Sequence, residues 1–194
     1  MFLFGISTVA HNLTLVLLSL SYYPMVTEKV YAEIQEVIGN REITVDDIDK
    51  LPYLRATIYE TLRLRGVDFL PRFAMEDDQI ADHKIRKHDR ILIPLFYLHR
   101  LEKYWENPEG FNPDRFLVPL DENYQWIYMP FGAGPRICIG RDSAMIQTFI
   151  ILVTILQRYR LFILPYQQTE NLHVESFVVD PDKRKSLMMY IKKI

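Results

Sequence analysis

The sequence has little cysteine, little glycine and almost no net charge. Its 194 residues include one cysteine, seven glycines, 23 Lys and Arg residues and 25 Asp and Glu residues, for a formal net charge of −2. One cysteine excludes an intrachain disulfide, and therefore a secreted disulfide-stabilised scaffold. The balanced charge gives no broad basic field, so we predict no nucleic-acid partner. With 49% hydrophobic residues, the chain is expected to be a globular protein of a reducing compartment, with residues 1–194 in a single domain.

The first segment lacks charged side chains before Glu28, and the run from Phe2 to Tyr23 is long enough to span a bilayer. Four of its polar residues fall within an arc of about 140° on a helical wheel: Ser7, Thr8, His11 and Asn12. A mostly apolar helix with one polar stripe suits the centre of a larger protein, where the stripe lines a cavity. We therefore predict a buried helix; the alternatives are a signal anchor and a plain core helix.

Apolar spacing and turn residues predict three further helices and several short strands. The helices are expected at Met25–Ile38, Pro52–Leu64 and Ile139–Tyr159, with Thr44 as an N-cap after the first of them. The strands are expected at Arg72–Met75, Arg90–Phe96 and Ser186–Ile191, and a loop at Glu106–Phe116. Helices dominate this pattern, so the predicted fold class is α+β, mainly α.

A glycine-rich segment, residues 130–140, delivers Cys138 to the start of the last predicted helix. A dinucleotide-binding fingerprint would need glycine where Ile137 stands, and a phosphate-binding loop would end in Gly-Lys-Ser/Thr. A cysteine phosphatase would carry arginine where Ala144 stands. Zinc would require further Cys or His ligands nearby, and the segment has none. The spacing therefore excludes these four kinds of site.

The position of Cys138 favours a thiolate. Unpaired amides at a helix N-terminus lower the pKa of a thiol, and Arg136 adds a positive charge two residues away. A lone thiolate in an apolar loop is a good axial ligand for a metal that a macrocycle already holds. The alternative is a buried, inert cysteine, which is the usual state of a single intracellular one.

The same loop resembles the haem-binding signature of the cytochrome P450 family, the haem-thiolate monooxygenases. The fixed positions of that signature are all matched, by Phe131, Gly134, Arg136, Cys138 and Gly140. Three further segments resemble family motifs in the family's order: Glu60-Thr61-Leu62-Arg63, Pro71-Arg72 and Asn112-Pro113-Asp114-Arg115-Phe116. The resemblance covers nearly the whole chain and implies the C-terminal part of the P450 fold, from its long central helix to its last strands.

The resemblance also implies roles for these residues. Cys138 would be the axial ligand of the haem iron, and Arg72 and Arg136 would bind the haem propionates. Phe131 would pack against the porphyrin near the sulfur. Glu60, Arg63 and Arg115 would form a buried structural triad. His99 is a candidate for packing beneath the haem.

The implied activity is that of a monooxygenase with haem b. Such an enzyme takes electrons from a reductase or ferredoxin and inserts one atom of dioxygen into a small apolar substrate. The implied location is intracellular, at the endoplasmic reticulum membrane for a full-length eukaryotic parent. Any membrane anchor would belong to the part of the family fold that precedes this chain. Without that part, we expect the chain to bind haem weakly or to aggregate, because its first helix would expose apolar surface.

The first helix departs from the family pattern next to its threonine. Thr8 matches the residue that faces dioxygen, but Ser7 replaces the usual acid and Phe4 replaces a small residue. Ser7 removes a titratable proton relay, so oxygen activation is less firmly implied than haem binding. Two other readings stay open: a haem-thiolate isomerase, dehydratase or peroxygenase that does not use dioxygen, and an inert fragment of a partial gene.

Overall fold

The computed structural model describes residues 2–118, 122–163 and 189–193. Five helices are found there: α1 at Phe2–Tyr22, α2 at Pro24–Val37, α3 at Pro52–Arg65, α4 at Leu95–Leu98 and α5 at Arg141–Leu156. The six strands are β1 at Leu70–Phe73, β2 at Asp78–Ile80, β3 at His83–Ile85, β4 at Arg90–Ile93, β5 at Tyr159–Ile163 and β6 at Met189–Lys193. Short 3-10 helices occupy Val45–Lys50, Pro113–Phe116, Glu122–Trp126 and Gly134–Arg136.

The strands of the described residues form three separate antiparallel pairs, β1 with β4, β2 with β3, and β5 with β6. Each pair is a two-stranded ribbon, so helices supply most of the apolar packing. The prediction of an α+β fold that is mainly α is confirmed. The prediction of a single domain stays a prediction.

The chain groups into two compact units. The first unit comprises residues 1–61, 111–119 and 139–194, and the second comprises residues 62–110 and 120–138. Helix α3 therefore contributes Glu60 to the first unit and Arg63 to the second.

The core of the first unit lies between α1 and α5. Buried apolar side chains come from the C-terminal half of α1, namely Leu15, Val16, Leu18 and Leu20, and from α5, namely Phe149, Leu152, Val153 and Leu156. The N-terminal half of α1 is more exposed, and Ile6 is 68% accessible. The predicted buried helix is thus confirmed for its second half only; the cavity beside its polar stripe stays a prediction.

Pro24 separates α1 from α2, as an imino acid at the first position of a helix does. Within the described residues, no single helix is long and apolar enough to cross a membrane. The pair formed by Gly5–Tyr22 and Pro24–Val37 passes that test by length and composition, but it is bent by 111°.

Glu33 of α2 caps the N-terminus of α3. Its carboxylate accepts hydrogen bonds from the backbone amides of Tyr53 at 2.7 Å and Leu54 at 2.8 Å. The residue before α3 is Leu51, whose side chain has no hydrogen-bond acceptor. Burial raises the pKa of Glu33, while the two amides favour its charged form. A side chain twenty residues upstream therefore takes the place of a local cap.

The predicted element bounds need four corrections. Helix α5 is shorter than Ile139–Tyr159, because Gly140 is its N-cap and Tyr159 already belongs to β5. The strand expected at Arg90–Phe96 ends at Ile93, since Pro94 lacks an amide donor and α4 follows. Strand β1 begins two residues earlier than expected, where Leu70 pairs with Ile93. The loop expected at Glu106–Phe116 ends in a 3-10 helix.

Two further expectations concern the N-cap at Thr44 and the last strand. The N-cap at Thr44 is confirmed, because Thr44 and Asp47 form a capping box. Of the strand expected at Ser186–Ile191, residues 186–188 lie outside the described residues, and β6 covers the remainder.

Candidate functional site

Glu60 anchors the segment that contains Arg115, within the first unit. Its side chain is fully buried, and Oε1 accepts hydrogen bonds from the Asn112 amide at 2.8 Å and from Arg115 Nε at 3.1 Å. Asn112 in turn accepts from the Asp114 amide and caps the short helix Pro113–Phe116. One buried carboxylate thus holds both a backbone amide and a guanidinium, which compensates its loss of water.

Arg63 organises a segment of the second unit. Its guanidinium, 1% exposed, donates to the carbonyls of His99 and Pro108 at 2.7 Å each and to that of Gly110 at 3.1 Å. It also lies over the ring of the buried Trp105, at 5.0 Å from the centroid. A buried arginine with this many carbonyl partners fixes the course of residues 99–110.

The predicted triad of Glu60, Arg63 and Arg115 is therefore observed in part. Glu60 and Arg115 form a salt bridge, and Arg63 is buried on the same helix. The joint action of the three stays a prediction. The carbonyl contacts of Arg63 were not foreseen, because residue spacing carries no signal for a bond from a side chain to a distant backbone group.

His99 links that segment to the chain before the cysteine loop. It is 2% exposed, and its Nε2 accepts a hydrogen bond from the Met129 amide at 3.2 Å. The ring packs against Tyr128 and Trp105, with centroids 5.5 Å and 6.4 Å away. Burial lowers the pKa of His99 to about 4 from its ordinary value of 6.5, so the ring is neutral near pH 7. The expectation that His99 packs beneath the haem stays a prediction, and its hydrogen bond with Met129 was not predicted from the sequence.

Three backbone hydrogen bonds shape the loop that carries Cys138. The Gly132 amide donates to Met129, the Ile137 amide to Gly134, and the Cys138 amide to Phe131, at 2.9, 3.0 and 2.8 Å. Gly132 and Gly134 have φ of +78° and +67°, in the left-handed region that other residues rarely adopt. A Cβ at Gly134 would meet nothing within 4 Å, so conformation rather than space requires glycine there.

Cys138 is a free and exposed thiol. The alternative of a buried, inert cysteine is therefore wrong. Because α5 begins at Arg141, Cys138 lies two residues before its N-cap and not in its first turn, as the predicted start at Ile139 had placed it. The Phe131 carbonyl, rather than the helix, holds the backbone of the cysteine in place.

Both arginines expected at the propionates lie in the second unit, with Cys138. Leu70 and Arg72 are half-buried on one face of β1, and Leu70 approaches the loop, with Cδ1 3.7 Å from a Cβ built on Gly132. Arg72 donates to the carbonyl of Pro71 at 2.8 Å. Arg136 is exposed at the end of the short helix Gly134–Arg136. Alternation along β1 therefore turns Arg72 toward the side of the strand that meets the cysteine loop.

The first unit contains the two remaining predicted site residues. Thr8 is half-buried on α1, next to the exposed Ser7. Gly140 is the N-cap of α5, and its carbonyl accepts from the Ala144 amide at 2.8 Å. Phe4 belongs to α1 by its backbone.

The donor set fits a haem. Among the described residues, no group of three or more His, Cys, Asp or Glu side chains could hold a metal ion. What the second unit offers is one exposed thiol on a turn that contains two glycines, with Arg72 and Arg136 both earlier in the sequence of the same unit. A single sulfur ligand suits a metal that is already held in a macrocycle, and guanidinium groups suit its carboxylates.

Known proteins resemble this chain over most of its length. The family model described as Cytochrome P450 matches residues 1–188. A steroid 17-alpha-hydroxylase/17,20 lyase of Ictalurus punctatus is 38% identical over 188 residues, which are 93% of this chain and 37% of that protein. The aromatase of Homo sapiens is 34% identical over 186 residues, which are 95% of this chain and 36% of that protein.

Solved structures agree. A zebra fish cytochrome P450 with abiraterone has a TM-score of 0.75 and 34% sequence identity, covering 82% of this chain and 38% of that one. The chain spans less than two-fifths of the length of each of these relatives. The exposed thiol, the glycine turn and the buried Glu60 and Arg63 all fall within the matched residues, and the chain belongs to the cytochrome P450 family.

Proposed function

We propose that this chain is the haem-binding part of a monooxygenase that inserts one oxygen atom of dioxygen into an apolar organic substrate. The observation that carries the proposal is the exposed thiol of Cys138, on a turn held by the 2.8 Å bond from its own amide to Phe131. The family implies a haem cofactor; we propose haem b. A thiolate ligand donates electron density to the iron, which favours cleavage of the oxygen–oxygen bond.

The residues of the second unit would hold the group. Cys138 would supply the sulfur ligand, and Arg72 and Arg136 would donate from their guanidinium groups to the propionates. Phe131, half-buried, would pack against the porphyrin near the sulfur. Gly134, with a φ of +67°, allows the backbone to turn before the cysteine, and Gly140, which belongs to the first unit, is the N-cap of α5. Three backbone hydrogen bonds already hold the turn, which reduces the conformational entropy that is lost on binding.

Proton supply on the oxygen side would fall to Thr8 of α1. Its hydroxyl can both accept and donate a proton at Oγ1. Ser7, beside it, is also a hydroxyl and does not titrate near neutral pH. We therefore infer that protons reach Thr8 through hydroxyl groups and water, without a carboxylic acid at position 7.

Relatives support an apolar substrate of steroid size. Two are named for steroid hydroxylation and for aromatase activity, and one solved structure contains progesterone. We propose that the parent protein of this chain takes such a substrate, receives electrons from a reductase or ferredoxin, and consumes dioxygen. An endoplasmic reticulum location stays a prediction.

The test is a reduced carbon-monoxide difference spectrum of the longest polypeptide that the transcript encodes. The proposal expects a thiolate-type band that Cys138→Ala abolishes. Ser143→Ala is the matched control, since Ser143 is exposed in the first turn of α5 and its hydroxyl only accepts from Gln147 at 3.0 Å. An unchanged band in Cys138→Ala would remove the ligand and the proposal with it.

A second candidate keeps the haem and omits oxygen insertion, as in an isomerase, dehydratase or peroxygenase. The observation that favours it is Ser7, where the family usually carries an acid. Turnover of progesterone under labelled dioxygen distinguishes the two: label in the product supports the monooxygenase, and an unlabelled product supports the alternative. The reading as an inert fragment is tested by sequencing the transcript upstream of Met1.

A further inference from the structure

We propose that His99 is a positioning residue for the cysteine loop, acting as a hydrogen-bond acceptor at Nε2. The inference rests on the proposed role of Cys138 as the haem ligand and adds a residue that no motif of the loop contains. Its basis is a set of three hydrogen bonds within the second unit that leads from His99 to Cys138 and is connected by the backbone of residues 129–132.

The first bond ties the loop to the imidazole. The Met129 amide donates to His99 Nε2 at 3.2 Å, and the Met129 carbonyl accepts from the Gly132 amide at 2.9 Å. The position of Met129 therefore sets the turn that ends at Gly132. Phe131, inside that turn, accepts the Cys138 amide at 2.8 Å. A displacement of Met129 would pass through Phe131 to the sulfur.

The protonation state of the imidazole is fixed by this geometry. A nitrogen that accepts an amide N–H carries no proton of its own, so a neutral ring has its proton on Nδ1. Two positive side chains near His99, Arg63 and Arg100, oppose protonation of the ring, and its burial opposes it more strongly. The acceptor is therefore present throughout the neutral range.

The backbone of His99 is held in place as well as its ring. Its carbonyl accepts from Arg63 at 2.7 Å, and its side chain lies against Trp105 and Tyr128. The next residue, Arg100, is also held in place. Its guanidinium donates to the Leu64 carbonyl and lies 3.9 Å from the centroid of the Phe96 ring. The buried arginine of α3 thus fixes the imidazole that fixes the loop, which connects Arg63 to Cys138 without a direct contact.

Two variants of equal polarity separate the acceptor from the rest of the side chain. In His99→Gln the amide oxygen stands at the same distance along the side chain as Nε2, whereas in His99→Asn it stands at the level of Nδ1. His83→Asn, on the exposed β2–β3 hairpin, is the control. Hydrogen exchange of single amides is measured on the longest encoded polypeptide, without haem.

The proposal expects exchange at Met129, Gly132 and Cys138 to rise about tenfold in His99→Asn, as loss of one buried hydrogen bond allows. Amides of α3 and of the β1–β4 ribbon should keep their exchange rates, and His99→Gln and His83→Asn should resemble the unmodified chain. An equal rise throughout the second unit, or an equal rise in both His99 variants, would overturn the proposal. So would failure of both variants to fold, because the acceptor would then not be the part of the side chain that matters.

A second readout addresses the ligand itself. After loading with haem, the share of the reduced carbon-monoxide complex that has the thiolate-type band should fall in His99→Asn and be retained in His99→Gln. If Cys138 is not the ligand, this share is zero in every variant, yet the exchange pattern still reports on His99. An unchanged share in His99→Asn, together with a thiolate-type band in the unmodified chain, contradicts the proposed positioning role.

Discussion

The charged residues of α3 and the residues of the cysteine loop satisfy their polar groups in opposite ways. Glu60 and Arg63 are buried, and the protein itself supplies their hydrogen-bond partners: one amide and a guanidinium for Glu60, three carbonyls for Arg63. Arg136 and Cys138 are exposed, and the hydrogen bonds that the described residues show in their loop join backbone groups. Glu60 and Arg63 therefore stabilise the folded chain, whereas Arg136 and Cys138 are accessible to a ligand.

This contrast separates stability from binding. Removal of a buried, fully bonded charge leaves several polar groups unsatisfied and costs free energy of unfolding. Removal of an exposed side chain changes the unfolding free energy little, whatever its part in chemistry. The four variants below run from the largest expected effect on stability to the smallest, and each tests one side of the contrast.

Arg63→Met should have the largest effect. It leaves the carbonyls of His99, Pro108 and Gly110 without their donor inside the second unit, so we expect a loss of about 3–5 kcal/mol in the free energy of unfolding, measured by urea denaturation. Arg86→Met, on the exposed β2–β3 hairpin, is the matched control and should change it by less than about 0.5 kcal/mol. An equal loss of unfolding free energy in Arg63→Met and Arg86→Met would contradict a special contribution of the buried arginine to stability.

The neutral state of His99 should make stability depend on pH. Its pKa, about 4 in the folded chain and 6.5 ordinarily, means that between these values the unfolded chain binds a proton that the folded chain does not. The contribution is complete above pH 6.5 and is lost as pH falls toward 4, with a total of about 3 kcal/mol. Urea denaturation at pH 7 and pH 4.5 should show a smaller difference for His99→Gln than for the unmodified chain. His88→Gln is the control, because His88 is exposed near the β2–β3 hairpin. Its stability difference between the two pH values should equal that of the unmodified chain. If this variant also reduces the difference, another group is responsible.

Glu60→Gln should have an intermediate effect. The amide oxygen can still accept from Asn112, but Arg115 loses its charged partner, so we expect a loss of about 1–3 kcal/mol. Glu109→Gln is the control, because Glu109 forms a salt bridge with Arg100 while its side chain is 73% exposed. That variant should lose less than about 1 kcal/mol. Thermal unfolding of both variants measures the difference. A larger loss of stability in Glu109→Gln than in Glu60→Gln would contradict the stabilising role of the buried Glu60.

Cys138→Ala should have the smallest effect on stability and the largest on binding. The thiol is exposed, so the free energy of unfolding without haem should change by less than about 0.5 kcal/mol. The thiolate-type spectrum should disappear. Calorimetry on the haem-free chain and spectroscopy on a haem-loaded portion of the same preparation make the two measurements. Strong destabilisation by this variant would mean that the sulfur belongs to the core, against its exposure.

The sequence predicts the helices better than the contacts between them. The runs at Phe2–Tyr22 and Pro52–Arg65 follow from apolar spacing, proline and glycine, which act locally. The start of α5 was placed at Ile139, two residues early, because Gly140 serves as its N-cap and the apolar pattern continues through it. Tyr159 was assigned to a helix because its pairing with Lys193 depends on a strand thirty residues away in sequence.

The candidate site shows the same limit. Cys138, Arg136 and the glycines are found from one stretch of ten residues, because their spacing is itself the signal. The hydrogen bond between Met129 and His99 joins residues thirty positions apart. Its donor is a backbone amide, which almost every residue has, so the sequence pattern does not indicate it. Arg63 was identified by its motif, but its three carbonyl partners could be read only from the folded chain.

The cap on α3 has a consequence for synthesis on the ribosome. Glu33 leaves the exit tunnel before Tyr53 and Leu54 leave it, since translation runs from the N-terminus. The acceptor is thus waiting when its donors emerge. A circular permutant that places α2 after α3 would reverse this order, and its third helix would have to form with its first amides open to water until the end of translation.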